Sequence, residues 1–252
     1  MTQSEQATRF TELHIKGTPL VLYNAWDAGS ANAIQNAGAR AIATSSWAVA
    51  KAHGYKDGED IPLDFVLRIV SRIMKAVDLP VSVDFEGGYS DDDAGLARNV
   101  SNLLDTGVVG VNFEDRVVKA DGLYDIDRQA RRIAIIRKTA SHLGIPLFIN
   151  ARTDVFFQKG DGSAEAADEA IKRGKAYADA GASGLFIPGL TNDTLISEIV
   201  ADSILPVNVM VMDGLSSDAR LAEIGVARIS YGAMSYLRAI ELLQQEARKP
   251  RS

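Results

Sequence analysis

Val81-Ser82-Val83-Asp84-Phe85-Glu86-Gly87-Gly88-Tyr89 is the stretch of sequence that decides the fold. It begins with apolar, β-branched residues behind Pro80 and ends with two carboxylates beside two glycines. Asp and Glu are poor strand formers, and at positions i and i+2 they point to the same side of a sheet. Because a buried charge needs solvent or a counter-charge, Asp84 and Glu86 predict a polar site. Further along, Val109–Asp115 repeats the pattern, so we expect two strands to end at one site.

Short apolar runs alternate with longer amphipathic runs along the whole chain. This alternation predicts parallel strands joined by right-handed helical crossovers. The predicted strands lie near Leu20–Ala25, Ala41–Thr44, Val81–Phe85, Val109–Glu114, Leu147–Ala151, Gly184–Pro188, Val207–Val211 and Arg228–Tyr231. The predicted helices lie near Asp27–Ala37, Leu63–Val77, Asp91–Thr106, Asp127–His142, Ala164–Ala180, Thr191–Ala201, Ser217–Ile224 and Ala233–Ala247.

Strand and helix alternation over this length predicts an α/β fold with a single (β/α)8 TIM-type barrel. The domain is expected to span residues 1–252, with a short helical lead-in at about 1–17. An open doubly wound sheet is the alternative. No G-x-G-x-x-G follows the first predicted strand, which disfavours a dinucleotide-binding fold of that kind.

Composition narrows the function classes. With 46% hydrophobic and 24% charged residues, the chain is typical of a globular protein. A net charge of −6 gives no general attraction for nucleic acid or an anionic membrane. The absence of cysteine excludes disulfides, thiolate zinc sites and a cysteine nucleophile. The N-terminus is polar and no apolar run reaches membrane-spanning length, so we expect a cytoplasmic protein.

Polar residues collect at the predicted carboxyl ends of the strands, where TIM barrels place their chemistry. Asp84, Glu86 and Glu114 offer only hard oxygen ligands, without histidine or cysteine, which favours Mg²⁺ or Mn²⁺ over zinc. The alternative is that these acids pair with Arg116 and Arg152 in a structural salt network.

Two further strand ends carry candidate anion-binding groups. The guanidinium of Arg152 suits a substrate carboxylate or phosphonate, or it is a partner for Asp154 or Glu114. Backbone amides at Ser45-Ser46-Trp47 can hold an anion, although a serine there is equally typical of a helix N-cap.

The residues Asp84–Tyr89 resemble the Asp-x-Asp/Glu-x-Gly-Tyr segment of the isocitrate lyase/phosphoenolpyruvate mutase superfamily. The resemblance continues in register through Asn24–Ala31, Thr44–Ser46, Gly54–Asp57, Asn112–Asp115 and Ala151–Asp154. It covers nearly the whole chain and is closest to short phosphonomutase-like members. It implies a Mg²⁺-dependent barrel, with Mn²⁺ as an alternative, that handles 2-oxo or 2-hydroxy acids through an enolate.

The family pattern also implies roles for individual residues. Asp84 would bind the metal directly and three other acids would hold its waters, which gives a metal site of Asp84, Glu86, Glu114 and Asp57. The implied substrate site, for a small carboxylic acid, comprises Ser45, Ser46, Trp47 and Arg152, and we add Trp26 and Asn208 because both lie at predicted strand ends. The implied catalytic residues are Arg152, Lys119 and Glu114. Family members commonly form tetramers, so we expect a homo-oligomer, a dimer or a tetramer.

Departures from the family motifs decide between activities. The lyase branch carries Lys-Lys-Cys-Gly-His after the fourth strand, whereas Arg116–Leu123 here has neither Cys nor His. The mutase branch has Lys and Asn on this loop, and here Lys119 can replace the Lys but nothing replaces the Asn. The mutase branch also has a His after the sixth strand, where this chain has Ile187-Pro188-Gly189. The leading hypothesis is therefore a Mg²⁺-dependent lyase that cleaves a C–C bond of an oxaloacetate- or alkylmalate-like di-acid. The alternatives are a phosphonopyruvate-type C–P mutase or hydrolase and a non-catalytic keto-acid-binding barrel.

Overall fold

The computed structural model describes residues 1–160 and 162–249, which form one parallel sheet surrounded by helices. The strands are β1 Leu20–Leu22, β2 Asn24–Ala25, β3 Ile42–Thr44, β4 Val81–Asp84, β5 Gly110–Glu114, β6 Phe148–Arg152, β7 Gly184–Phe186, β8 Val207–Met210 and β9 Arg228–Ser230. The helices are α1 Gln3–Glu12, α2 Ala28–Asn36, α3 Ser46–Ala52, α4 Leu63–Ala76, α5 Asp93–Leu104, α6 Ile126–His142, α7 Val155–Lys159, α8 Ala164–Asp179, α9 Asp193–Asp202, α10 Asp218–Ile224 and α11 Met234–Arg248.

The sheet runs in the order β1-β9-β8-β7-β6-β5-β4-β3-β2, and all of its strand pairs are parallel. β1 pairs with β9 and β2 pairs with β3, so the first segment of chain closes the ring. The predicted α/β TIM-type barrel is therefore confirmed, with one difference. The predicted strand Leu20–Ala25 is two strands, because the chain changes its hydrogen-bonding neighbour at Tyr23. No helix of the described residues is long and apolar enough to cross a membrane.

Helix α1 closes the amino-terminal end of the barrel. The Thr2 side chain caps it, in a capping box with Glu5. Phe10 is fully buried and packs edge-on against Phe148 of β6, inside the ring of strands. His14 follows the helix and stacks on Phe148, with ring centroids 3.9 Å apart. With this end filled, the opposite end of the barrel is left to form a site.

The main core lies between the strands and the outer helices. Helix α4 shows the principle: Val66, Ile69, Val70 and Ile73 repeat at helical spacing and are buried. Two short helices were not predicted, α3 and α7. Each follows the carboxyl end of a strand directly, and each is too short for the helical period to be distinct in the sequence.

Candidate active site

A cavity of about 560 Å³ opens at the carboxyl end of the barrel. Its charged lining residues are Asp57, Asp84, Arg116, Asp121, Arg152 and Asp154. Several of these charged side chains reach the cavity because alternate residues of each pleated strand point into the barrel. The pairs Asn112 and Glu114 on β5, and Asn150 and Arg152 on β6, lie side by side in register.

Asp84, the last residue of β4, lies at the centre of the acidic cluster. Its Oδ2 accepts hydrogen bonds from the backbone N–H of Ser46 at 3.0 Å and from the Ser46 hydroxyl at 2.8 Å. Its Oδ1 is buried and has no hydrogen-bond partner among the described residues. A buried carboxylate oxygen without a partner is costly, so this atom is suited to face a cation.

Glu86 is held by a tight turn that the sequence encodes in its two glycines. Its Oε2 accepts the backbone N–H groups of Gly58 and Glu59, both at 2.9 Å. The turn needs positive φ at Glu86 (49°) and at Gly88 (82°). A Cβ on Gly88 would lie 2.5 Å from Leu96, so glycine is required there for space as well as for conformation.

The acids raise one another's pKa. Burial, together with the charges of Asp57 and Asp84, raises the pKa of Glu86 to about 8. Burial and the charge of Asp84 also raise the pKa of Asp57. Burial raises the pKa of Glu114 well above its usual range, although Arg152 acts in the opposite direction. Neighbouring acids that disfavour one another's charge are a set that a divalent cation would stabilise.

Arg152 is bound by two carboxylates. Its Nε and Nη2 donate to both oxygens of Asp154, at 2.6 and 2.8 Å, and its Nη1 lies 3.1 Å from Glu114. Burial opposes the charge of Arg152, but Glu114 and Asp154 raise its pKa well above the usual value. The structure therefore contains the ion pairs with Asp154 and Glu114 that the sequence offered as the alternative to substrate binding. Arg152 still lines the cavity, so a ligand can contact it.

The residues present fit a hydrated magnesium ion better than a fully protein-chelated one. No group of three or more His, Cys, Asp or Glu side chains in the described part of the chain is arranged to chelate a metal directly. Mg²⁺ usually keeps several waters and takes one or two carboxylates. Asp84 Oδ1 offers one direct ligand, and Asp57 and Glu86 are both close enough to Asp84 for its charge to raise their pKa. This arrangement fits a Mg²⁺ ion that would take Asp84 as its one direct ligand and would contact the other two acids through bound waters.

The residues predicted to bind substrate are only partly gathered at the cavity. Ser45, Ser46 and Trp47 line it, but the Ser45 N–H donates to Ala25 and the Ser46 N–H donates to Asp84. The Ser45 hydroxyl caps α3, as the alternative interpretation proposed. Amide binding of a carboxylate there stays a prediction.

Five other predicted residues lie outside the cavity lining, and two of them are the acids Glu86 and Glu114. Trp26 packs edge-on against Tyr236. Asn208 is buried deeper in the barrel, where its Oδ1 accepts the Ser230 hydroxyl at 3.2 Å. Lys119 is exposed, on the loop whose residues Arg116 and Asp121 do reach the cavity. Their roles stay predictions.

Sequence reasoning missed Arg228, the first residue of β9. Its guanidinium is fully buried beneath the cavity and donates to Ser230 at 3.1 Å and to Asn112 at 3.3 Å. Its Nη1 has no partner among the described residues, and burial lowers its pKa to about 9. The signal available in the sequence was an arginine at the first position of a predicted barrel strand. Because side chains two residues apart on a strand point to the same side, that arginine shares the inner face of the barrel with the residue two positions later.

Several known proteins are similar to this chain. The family model described as phosphoenolpyruvate phosphomutase matches residues 10–250. An uncharacterized protein of Mycobacterium tuberculosis is 34% identical over 227 residues, covering 90% of this chain and 83% of that protein. The 2-methylisocitrate lyase of Escherichia coli K12 is 32% identical over 181 residues, which cover 70% of this chain and 60% of the lyase.

The solved structures agree. A protein of Burkholderia cenocepacia J2315, provisionally described as a phosphonomutase, is 44% identical with a TM-score of 0.95, covering 97% of this chain and all of that one (100%). A 2,3-dimethylmalate lyase superposes with a TM-score of 0.83 at 23% identity, over 97% of this chain and 86% of that one, which shows a shared fold. The chain therefore belongs to the isocitrate lyase/phosphoenolpyruvate mutase superfamily.

Proposed function

We propose that this protein is a Mg²⁺-dependent lyase that cleaves a C–C bond of a small 2-oxo or 2-hydroxy di-acid, oxaloacetate-like or alkylmalate-like. The observation that carries the proposal is the unpartnered, buried Oδ1 of Asp84 within a cluster of acids at the mouth of the barrel. Family membership and the named lyases among the relatives support it.

For a 2-hydroxy di-acid the reaction balances as follows. The C2 hydroxyl gives up its proton and becomes a carbonyl, and the C2–C3 bond breaks. The electron pair stays on C3 as the enolate of the departing acid, which then takes up a proton. The products are a 2-oxo acid and a carboxylic acid. A bound Mg²⁺ would supply positive charge beside the oxygens on which negative charge develops.

The chain's own residues bind and orient the substrate. Arg152 presents its guanidinium to a carboxylate, and Asp154 and Glu114 hold that guanidinium in one orientation. The catalytic roles proposed for Arg152, Glu114 and Lys119 are tested separately from metal binding. Lys119→Ala is expected to slow turnover while the Mg²⁺-dependent rise in melting temperature is retained.

C–P cleavage or rearrangement is the second candidate, favoured by the description of the Burkholderia structure. One feature of the site opposes it. The residues after β7 are Ile187, Pro188 and Gly189, none of which offers a charged or side-chain hydrogen-bonding group.

The test is a substrate panel run with Mg²⁺ and again with a chelator. Oxaloacetate and alkylmalates are assayed for 2-oxo acid or oxalate release, and phosphonopyruvate for phosphate release and for phosphoenolpyruvate formation. The proposal expects metal-dependent turnover of a di-acid. Turnover of phosphonopyruvate alone would support the second candidate. Oxalate binding with Mg²⁺ but no turnover would support a keto-acid-binding barrel.

We further propose that the protein works as a cytoplasmic homo-oligomer. Helix α11 contains no buried residue, and it exposes Leu237, Leu242 and Leu243. Apolar side chains exposed together in this way are typical of a protein–protein contact. Light scattering after size exclusion distinguishes a monomer from a dimer or tetramer.

A further inference from the structure

Arg228 lies beneath the floor of the cavity without an acidic partner. Its side chain is fully buried and crosses the inside of the barrel from β9 to Asn112 on β5. The ion pairs of the described residues do not include it, and its Nη1 has no hydrogen-bond partner among them. Burial lowers its pKa to about 9, although the charge of Asp84 acts in the opposite direction. Arg228 is therefore still charged at pH 7, and no ion pair neutralises it.

The guanidinium of Arg228 fixes the orientation of the Asn112 amide. Arginine carries only N–H donors, so the Asn112 atom that lies 3.3 Å from Arg228 Nη2 must be the carbonyl oxygen Oδ1. The Nδ2–H of Asn150 donates to the same oxygen at 2.9 Å. The amide cannot turn over without losing both hydrogen bonds. Neither bond uses the Nδ2–H groups of Asn112, which are left for a ligand in the cavity that this residue lines.

Ser230 also lines the cavity and contacts Arg228, but its hydroxyl proton is already used. Its Oγ accepts from Arg228 Nε at 3.1 Å and donates to Asn208 Oδ1 at 3.2 Å. A hydroxyl has one proton to donate, so Ser230 has none left for a ligand. Of the two side chains that accept from Arg228 in the described chain, Asn112 is the one that can donate to a ligand.

Asn112 lies beside the candidate metal ligand. It is paired in register with Asp84 across β4 and β5. A small acid held by a cation at Asp84 Oδ1 would bring its anionic oxygens close to the Asn112 amide. An oriented N–H donor with a positive charge beneath it favours negative charge at that position, most strongly where water is excluded.

We infer that Asn112 binds an anionic oxygen of the substrate through its Nδ2–H, and that Arg228 is the positioning residue that orients this amide and places positive charge beneath it. The inference rests on the proposed function and adds two residues to its site. Arg228 acts from below the floor, because its side chain has no exposed surface and does not line the cavity.

The experiment measures the affinities for Mg²⁺ and for an anion separately, by titration calorimetry. Mg²⁺ is titrated alone, and oxalate is titrated into protein saturated with Mg²⁺. Arg228→Met keeps much of the side-chain length but removes the charge and every donor. We expect oxalate to bind about tenfold more weakly to this variant. Mg²⁺ alone should bind about twofold more tightly, because a positive charge that acts on Asp84 is gone.

The opposite signs separate this role from a structural one, since damage to the fold would weaken both affinities. Arg228→Gln, which keeps a donor but no charge, is the second variant and should shift both affinities in the same directions, with a smaller loss for oxalate. Asn112→Ala removes the amide and leaves the charge. It should weaken oxalate binding about tenfold while the Mg²⁺ affinity is retained. Adding Arg228→Met to Asn112→Ala should cost less than about a further threefold, because the amide through which Arg228 acts is absent.

Arg137→Met is the matched control. The Arg137 guanidinium donates to the Gly181 carbonyl at 3.0 Å and to Ser183 Oγ at 2.9 Å, outside the cavity, so neither affinity should change.

Two failures are distinguishable. The inference would be overturned, and the proposed function left standing, by unchanged oxalate affinity in the Arg228 or Asn112 variants, by weakening of both ligands in both Arg228 variants, or by full multiplication of the losses in the double variant. Failure of the wild type to bind oxalate in Mg²⁺ would overturn the proposed function itself, and the inference with it.

Discussion

His14 gives the protein a stability that falls as pH falls. Its Nδ1–H donates to the Phe10 carbonyl at 2.8 Å, and its Nε2 is buried without a partner among the described residues. Burial first, and then the charge of Arg228, lower the pKa of His14 to about 3, against 6.5 for an unperturbed histidine. The unfolded chain therefore binds a proton below pH 6.5 that the folded chain does not bind until about pH 3. The histidine's contribution to stability is complete above pH 6.5 and is lost as pH falls from there.

The size of the effect follows from these two pKa values. Between pH 7 and pH 5, the free energy of unfolding should fall by about 2 kcal/mol through His14 alone. Any folded pKa below about 4 gives nearly the same loss at pH 5. Glu86 acts in the opposite direction, because its folded pKa of about 8 exceeds the unfolded value of 4.5, so the folded chain binds its proton more readily. The total pH dependence is therefore a sum of opposing effects.

A variant isolates the histidine. His14→Phe keeps an aromatic ring against Phe148 but cannot be protonated. Urea unfolding of both proteins at pH 7 and pH 5 gives a double difference in which the contributions of the acids, and the lost hydrogen bond to Phe10, cancel. The wild type should lose about 2 kcal/mol more than the variant between these pH values. Equal losses would refute the assignment of a neutral imidazole with a buried Nε2 at the base of the barrel.

Three further outcomes are expected. Asp84→Asn should abolish the rise in melting temperature on adding Mg²⁺, measured by differential scanning fluorimetry with chelator-treated protein as reference. Arg173→Met, which removes the ion-pair partner of the buried Asp115, should cost about 3 to 5 kcal/mol in urea unfolding, whereas Arg220→Met at an exposed pair should cost far less. Gly88→Ala should be more destabilising than Gly122→Ala in urea unfolding. Both glycines have positive φ, but only at Gly88 would the added Cβ collide with a neighbour. Similar losses of stability in the two variants would show that the positive φ alone sets the cost of substitution.

Much of the fold could be predicted because its signals are local. Short apolar runs that alternate with longer amphipathic runs predicted the strands and most of the helices, as at α4, where the buried face repeats at helical spacing. The break at Tyr23 could not be predicted. It arises from the neighbours that β1 and β2 find on either side of the ring, β9 and β3, and those neighbours are remote in sequence.

The candidate site was predicted in position but not in its pairings. Asp84 and Arg152 were expected at the carboxyl end of the barrel, because strand polarity alone brings such residues to one end. Whether Arg152 would face a ligand or Asp154 was open, since both lie on one short segment and only the geometry of β6 and its loop selects the contact. Arg228 was missed because a strand's first residue shows its burial only when the ring is closed.

By itself, the sequence determined the alternation of elements, the direction of each strand and the acids at the strand ends, since these depend on residues adjacent in the chain. The tertiary structure decided which charges meet, which oxygen of Asp84 is left without a partner, and that Arg228 on β9 meets Asn112 on β5 across the barrel. Such contacts depend on sheet register and on ring closure, which bring together residues far apart in the sequence.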